Sequence, residues 1–240
     1  MNLLAFETST EACSVALWRD GDAVERFEVA PRRHAELALP WAEALLADAG
    51  IVRAQLDAIA VGRGPGAFTG VRLGVAIAQG IALALGIPVV PVSTLLALAA
   101  RAPVSSGRVL AAIDARMGEV YLGAFARDGD GAWRALQPEA LGAPGAIALP
   151  EGSGWTGVGT GFDAVGGALP ARLGGRLALV DATALPHAAD VARLGAAMFA
   201  RGEAVAPERL EPAYLRDNVA LTLAEQAASA SAKKASTSDR

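Results

Sequence analysis

The sequence predicts an α/β protein built from two related halves, and three observations carry that prediction. Short apolar runs alternate with longer stretches of helical period. Each half opens with three strand-like segments, and an aspartate-glycine hairpin signal follows in both, Asp20-Gly21-Asp22 and Asp128-Gly129-Asp130-Gly131. A glycine-rich turn then leads from a strand into a long helix in "AVGRGPGAFTGVRLGVAIAQGIALALG", Ala60 to Gly86.

Along the chain, Leu3 to Ser9 reads as a buried strand ending in small polar residues. "CSVALWRDGD" and "AVERFEVA" alternate in character, so three consecutive antiparallel strands are the economical reading. A helix follows, around His34 to Ala49. Leu37, Trp41 and Leu45 recur every four residues on one face, and Gly50 is a stop signal. Pro40 lies inside it, so the helix either kinks there or starts later. "LDAIAVGRGPG" is a strand entering the glycine turn. Val71 to Leu85 is a helix, "IPVVPVS" a strand, and Thr94 to Arg101 a helix capped by Ser93 or Thr94. The order is βββαβαβα.

After "APVSSG", three more strands are expected in "RVLAAIDARMGEVYLGAFARDGDGAWRALQPEAL". "APGAIALP" suggests a short helix, and Gly154 to Phe162 a strand with a glycine-rich exit. A further strand, a loop and a helix from about Ala188 to Ala200 follow. The second half is thus a weak, shortened repeat of the first. Leu210 to Ala220 is a final ordered segment. The expected units are 1–102, 103–222 with its last helices packing back on the first, and a disordered tail over 223–240, rich in Ala, Ser, Lys and Thr.

Composition narrows the function. The chain has 240 residues, 53% hydrophobic, with net charge −4 and no concentrated basic stripe, so it is no stand-alone nucleic-acid binder. The single Cys13 cannot form an internal disulfide and suggests a reducing compartment. "MNLLAFETSTEACS" has no basic region ahead of a long apolar core, unlike a signal peptide. Val75 to Val92 is apolar apart from Gln79, but Gly86, Pro88 and Pro91 interrupt it, which favours helix, turn and strand over a membrane span.

The glycine turn could offer N–H groups to an anion at a helix start. It is neither a Walker A loop nor a dinucleotide fingerprint, and taken alone such a turn more often serves structure. In the helix after it, Gly70, Gly74, Ala78, Ala82 and Gly86 form a stripe with almost no side chain. Leu73, Ile77, Ile81 and Leu85 form a second stripe beside it. The pattern fits an internal helix or one whose stripe meets a partner chain. Glu7-Thr8-Ser9 and Asp114-Ala115-Arg116 end matching strands of the two halves. Facing each other across a cleft they would make a nucleotide site, although such residues also stabilise turns. The two histidines, His34 and His187, lack metal-ligand spacing, and no nucleophile elbow occurs, so neither metal nor catalytic residues are assigned.

Several segments together resemble one family. "LLAFETSTEACSVAL", "RRHAELALP", "VGRGPGAFTGVRLGVAIAQGIALALGIPVVPVSTL", "DARMGEVYLGAF" and "EPAYLRDNVA" are similar to bacterial tRNA threonylcarbamoyladenosine biosynthesis proteins of the TsaB (YeaZ) family. The stretch Gly62, Gly64, Pro65, Gly66, Phe68, Thr69, Gly70, Arg72 is the most specific part. The resemblance implies two duplicated actin-like ATPase (RNase H-like) subdomains, with mixed sheets flanked by helices. It implies a role in making N6-threonylcarbamoyladenosine at position 37 of tRNAs that read ANN codons. The transferase of that pathway is the paralogue TsaD, which binds a metal through a His-x-x-x-His pair. Here Arg33-His34-Ala35-Glu36 lacks the second histidine, which removes the metal site and with it the older protease label. The implied role is a cytoplasmic partner subunit, not catalytic alone, that binds TsaD, is joined by the ATPase TsaE and forms a homodimer by itself. Contact with tRNA would come only through the complex, and no membrane is implied.

The resemblance also implies a helical-bundle interface. On this chain it falls on His34, Glu36, Leu37, Trp41 and Leu45, with Gly70, Leu73, Gly74, Ile77 and Ala78. A weak or shared nucleotide site would use Thr8, Ser9, Gly64, Gly66 and Asp114. No cofactor is expected to be tightly bound, though ATP or ADP would be compatible with the complex. The alternative is an independent small-molecule kinase or ATPase of the same superfamily, with Glu7 and Asp114 as its candidate carboxylates.

Overall fold

The computed structural model describes residues 1–129 and 131–216. Asp130 of the second hairpin signal, the end of the expected final segment and the expected tail lie outside the described residues.

The first sheet has the order β3-β2-β1-β4-β5. Its strands are β1 (Asn2–Glu7), β2 (Ala12–Arg19), β3 (Asp22–Val29), β4 (Ala58–Gly62) and β5 (Val89–Val92). β1 to β3 are antiparallel, and β4 and β5 run parallel to β1. The hairpin signal works as read. Asp20 and Gly21 both take positive φ, 54° and 100°, which a tight two-residue turn between right-twisted strands requires.

The second sheet repeats this plan in the order β11-β10-β6-β7-β8. Its strands are β6 (Arg108–Arg116), β7 (Glu119–Arg127), β8 (Trp133–Ala135), β10 (Trp155–Val158) and β11 (Leu177–Asp181), and β9 (Ala140–Gly142) adds to β7. β6 pairs antiparallel with β7 and parallel with β10, as β1 does with β2 and β4.

Strand alternation assigns the two faces of the first sheet. Leu4, Phe6, Val15, Leu17, Ile59 and Val61 face α1 (His34–Asp48) and α2 (Phe68–Leu85). Leu3, Ala5, Ala16, Ala58, Ala60, Val90 and Val92 face the other way, onto α5 (Ala188–Ala200). That face is mostly alanine because α5 lies very close: a Cβ at Gly195 would stand 2.7 Å from the Ala60 Cβ. The third helix of the first half, α3 (Thr94–Ala99), packs instead on the second sheet, with Leu95 and Leu98 against Val109, Ala111 and Phe125. Each sheet is therefore covered on one face by a helix from the other half.

Three local expectations change. α1 is one helix through Pro40 and starts at His34, not later. "APGAIALP" makes a single turn, with Ala146 and Ile147 donating to the Ala143 carbonyl, and no helix. A helix missing from the sequence reading, α4 (Ala164–Leu173), buries Leu169 and Leu173 under the second sheet. Gly166, Gly167 and Pro170 hide its period, and Val165 to Gly167 take left-handed values. By length and apolarity α2 could cross a membrane, yet here its Gly70, Gly74, Ala78 and Ala82 are buried within the fold.

Candidate functional site

The polar end of β1 turns inward. Glu7 is 1% exposed. Its Oε1 accepts the Ser9 N–H at 2.7 Å, and its Oε2 accepts the Thr94 hydroxyl at 3.1 Å. The Ser9 hydroxyl lies 3.0 Å from that of Thr94, which also accepts the Gly64 N–H at 3.1 Å. Burial raises the Glu7 pKa, and the N–H and hydroxyl donors of Ser9 and Thr94 only partly offset that. The carboxylate thus ties β1 to the glycine turn and to the start of α3.

The glycines of the turn are needed by the chain itself. A Cβ at Gly62 would stand 1.8 Å from Glu7 Oε2, one at Gly66 2.3 Å from the Ser9 carbonyl oxygen, and one at Gly70 2.0 Å from that of Thr8. The Ala67 N–H donates to the Ser9 carbonyl at 2.7 Å, filling the N-cap of α2 with backbone. In this chain the turn wraps its own first strand end.

Between the halves lies a cleft of about 970 Å³, walled by Ser9, Gly66, Phe68, Asp114, Tyr121 and Tyr214 among others. Of the five expected nucleotide residues, Ser9, Gly66 and Asp114 reach this wall. Thr8 and Gly64 do not line it. The Thr8 hydroxyl donates to the Gly70 carbonyl at 2.7 Å, and Gly64 packs on Val71. Asp114 is already engaged, accepting the Arg116 N–H at 2.7 Å and pairing with its guanidinium at 2.8 Å. The sequence reading missed Arg32, Phe68, Tyr121 and Tyr214 as cleft residues. They come from four separate segments, and only chain path brings them together.

α1 and α2 lie side by side on the outer face of the first sheet, and the expected bundle residues divide there by depth. His34 is buried, with Nε2 2.9 Å from the Thr10 carbonyl and 3.1 Å from that of Ala12, stitching α1 to the β1–β2 turn. Leu45, Gly70, Gly74 and Ala78 are also buried. A Cβ at Gly74 would stand 2.7 Å from the Thr8 hydroxyl, so the small-residue stripe packs against the protein's own β1 end. These five residues lie beneath the surface of the two helices. Leu37, Trp41, Leu73 and Ile77 remain half-buried at the surface, with Glu36 exposed and paired to Arg33 at 3.3 Å. Phe68, at 55% exposed, and Leu39, at 48%, are further exposed apolar side chains of these two helices.

Two mixed sheets of one order, exchanging helices around a central cleft, define a protein of the actin-like, RNase H-like class. Residues 28–224 match the family described as "TsaD: tRNA N6-adenosine threonylcarbamoyltransferase". The chain is 45% identical over 228 residues to the tRNA threonylcarbamoyladenosine biosynthesis protein TsaB of Escherichia coli (strain K12), spanning 92% of this chain and 96% of that one. It is 38% identical to the TsaB of Haemophilus influenzae, over 91% of this chain and 95% of that one. The solved structure of YeaZ from Pseudomonas aeruginosa superposes with a TM-score of 0.82 at 46% identity, covering 89% of this chain and 99% of that one. The chain belongs to the TsaB (YeaZ) family of tRNA threonylcarbamoyladenosine biosynthesis proteins.

Proposed function

We propose that this chain is a non-catalytic partner subunit that binds and activates the TsaD transferase in N6-threonylcarbamoyladenosine modification at position 37 of tRNAs reading ANN codons. The observation that carries the reading is the apolar face of α1 and α2, where Leu37, Trp41, Leu73 and Ile77 sit half-exposed over a rigid layer of small residues. A patch of this kind on a soluble domain marks an interaction surface. The polar strand ends support the same reading. Glu7 is sealed inside its own network and Asp114 is held by Arg116, so neither carboxylate is poised as a base or a magnesium ligand.

In this reading the same face serves a homodimer in the absence of TsaD, and the two assemblies compete. TsaE joins the complex, tRNA is reached through it, and any ATP or ADP belongs to the assembly. The site of action is the cytoplasm. The test is light scattering after size exclusion, on the chain alone and mixed with its cognate TsaD. Conversion of homodimer to heterodimer, lost in Leu73→Glu, is the expected result. A Leu73→Glu protein that still forms the heterodimer would refute the assignment of this face.

A second reading is a small-molecule kinase or ATPase, favoured by the size of the cleft and by Asp114 on its wall. It requires sustained ATP turnover by the isolated chain that Asp114→Asn abolishes; the partner reading expects negligible turnover.

A further inference from the structure

After α5 the chain returns to the first half before crossing the cleft. Val205 pairs with Val89 at the edge of β5. Gln79 on α2 donates to the carbonyls of Pro207 and Leu210, at 3.0 and 3.1 Å, and Leu210 is buried in the core beneath. The Ala213 N–H donates to the Arg63 carbonyl at 2.8 Å. The Tyr214 hydroxyl accepts from Arg72 Nε at 2.9 Å, and the Arg72 guanidinium stacks 3.6 Å from the Phe68 ring centroid. All of these anchors belong to the first half.

Two residues later the grip changes sides. Arg216 donates to the Ala115 carbonyl at 3.1 Å and pairs with Glu119 at 2.8 Å, with Nη1 3.7 Å from the Met117 sulfur. These three partners sit at the tip of the β6–β7 hairpin of the second half. There Arg116 and Met117 take positive φ, 63° and 56°, conformations that L side chains adopt only when their surroundings hold them.

We infer that Leu210–Arg216 is a strap across the cleft that sets the angle between the two halves, and that release of Arg216 lets the cleft open. The halves are joined at their exchanged helices α3 and α5, while the strap spans the cleft itself. Its first-half end is deeply anchored through Leu210 and Gln79. Its second-half end rests on one arginine whose ion pair is partly solvated, with side chains 23% and 31% exposed. Pairs of that kind are individually weak, so the arrangement is firm at one end and releasable at the other. The strap also contributes Ala213, Tyr214, Leu215 and Arg216 to the cleft wall, so release changes both the width and the lining of the cleft.

The test uses the full chain with spin labels on Ala35→Cys in the first half and Asp163→Cys in the second, both exposed positions. Cys13 stays unlabelled, because burial and the nearby Glu28 push its thiol up to about 11. Pulsed distance measurements on doubly labelled chain diluted into an excess of unlabelled chain, so that a homodimer carries one labelled copy, should give one narrow distribution in the parent protein and a longer, broader one in Arg216→Ala. Glu119→Gln breaks the same grip from the opposite side. It should show the same shift, and it is the variant to read if Arg216→Ala lowers the folded fraction. Tyr214→Phe removes only the acceptor for Arg72 and should move the distribution less. Unchanged distances in folded Arg216→Ala and Glu119→Gln would overturn the strap. The measurement requires no TsaD, so its outcome is separate from that of the docking experiment.

Discussion

The two halves share one strand order, but the helix that follows the glycine-rich strand exit, α2 in one and α4 in the other, uses glycine differently. In the first half Gly62, Gly66, Gly70 and Gly74 are demanded by contact, because backbone or carboxylate atoms occupy the space a side chain would need. The result is an uninterrupted 18-residue α2 pressed on its sheet. In the second half Gly166 and Gly167 have no close neighbour and are demanded by positive φ, and the corresponding α4 is short and broken. The first half has kept two long parallel helices with an apolar outer face. The second has lost the counterpart of α1 and has only a shortened counterpart of α2. In the proposed function, the half with the intact helix pair is the one that docks.

The comparison can be broken at its strongest point. Gly70→Ala places a methyl 2.0 Å from a backbone oxygen and should cost about 3 kcal/mol in urea unfolding, since neither α2 nor the β1 end can yield alone. Gly167→Ala meets only the far ring atom of Pro170, and its penalty is the left-handed backbone, about 1 kcal/mol. Equal losses would show that contact and conformation are not what separates α2 from α4. A second contrast concerns association. Leu73→Glu should weaken self-association roughly 100-fold with little change in monomer stability. Val165→Glu, at an exposed apolar position on the second half, should leave sedimentation unchanged.

Two carboxylates in the first half, Glu7 buried and Glu25 half-buried, should respond to pH in opposite senses. Burial raises Glu7 above the usual carboxylate range, so the native state holds its proton to higher pH than the unfolded chain does. Stability contributed by Glu7 therefore falls as pH rises from the ordinary value through the raised one. Burial would raise Glu25 too, but His187, the Ser14 hydroxyl and the Ala189 N–H outweigh it and hold the pKa low. Its contribution is present above the ordinary glutamate pKa and is lost as pH falls through the lowered one. Glu7→Gln should flatten the first slope and Glu25→Gln the second, read from unfolding midpoints across the acid range. The smallest effect is a gain. Gly80 is exposed in mid-α2 with nothing near its missing Cβ, so Gly80→Ala should stabilise by about 0.8 kcal/mol.

Much of this was legible in the residues. Asp20-Gly21 fixed the first hairpin, and the four-residue spacing of small and large residues announced α2 with both its stripes. Which stripe faced inward was not legible, because glycine and alanine serve equally well against a sheet or against a second helix. Only the position of Thr8 decided it. α4 escaped because Gly166, Gly167 and Pro170 look like loop, and tertiary burial of Leu169 and Leu173 overrides that local signal. At the strand ends the sequence offered Glu7 and Asp114 as equivalents. The difference between them, one sealed and one at the cleft, depends on Gly62 and Thr94, far away in the chain.

The exchange of α3 and α5 also imposes a schedule. On a ribosome the first half emerges complete in its own strands well before residues 188–200 exist. Until then Leu3, Ala5, Ala16, Ala58, Ala60, Val90 and Val92 form an oily wall with nothing to cover it. Synthesis at roughly 5–20 residues per second leaves that wall bare for several seconds. Alanine, which dominates the wall, is the least adhesive of the apolar residues. A newborn chain with larger side chains there would fit α5 less closely and would give chaperones and neighbouring chains more to hold while it waited.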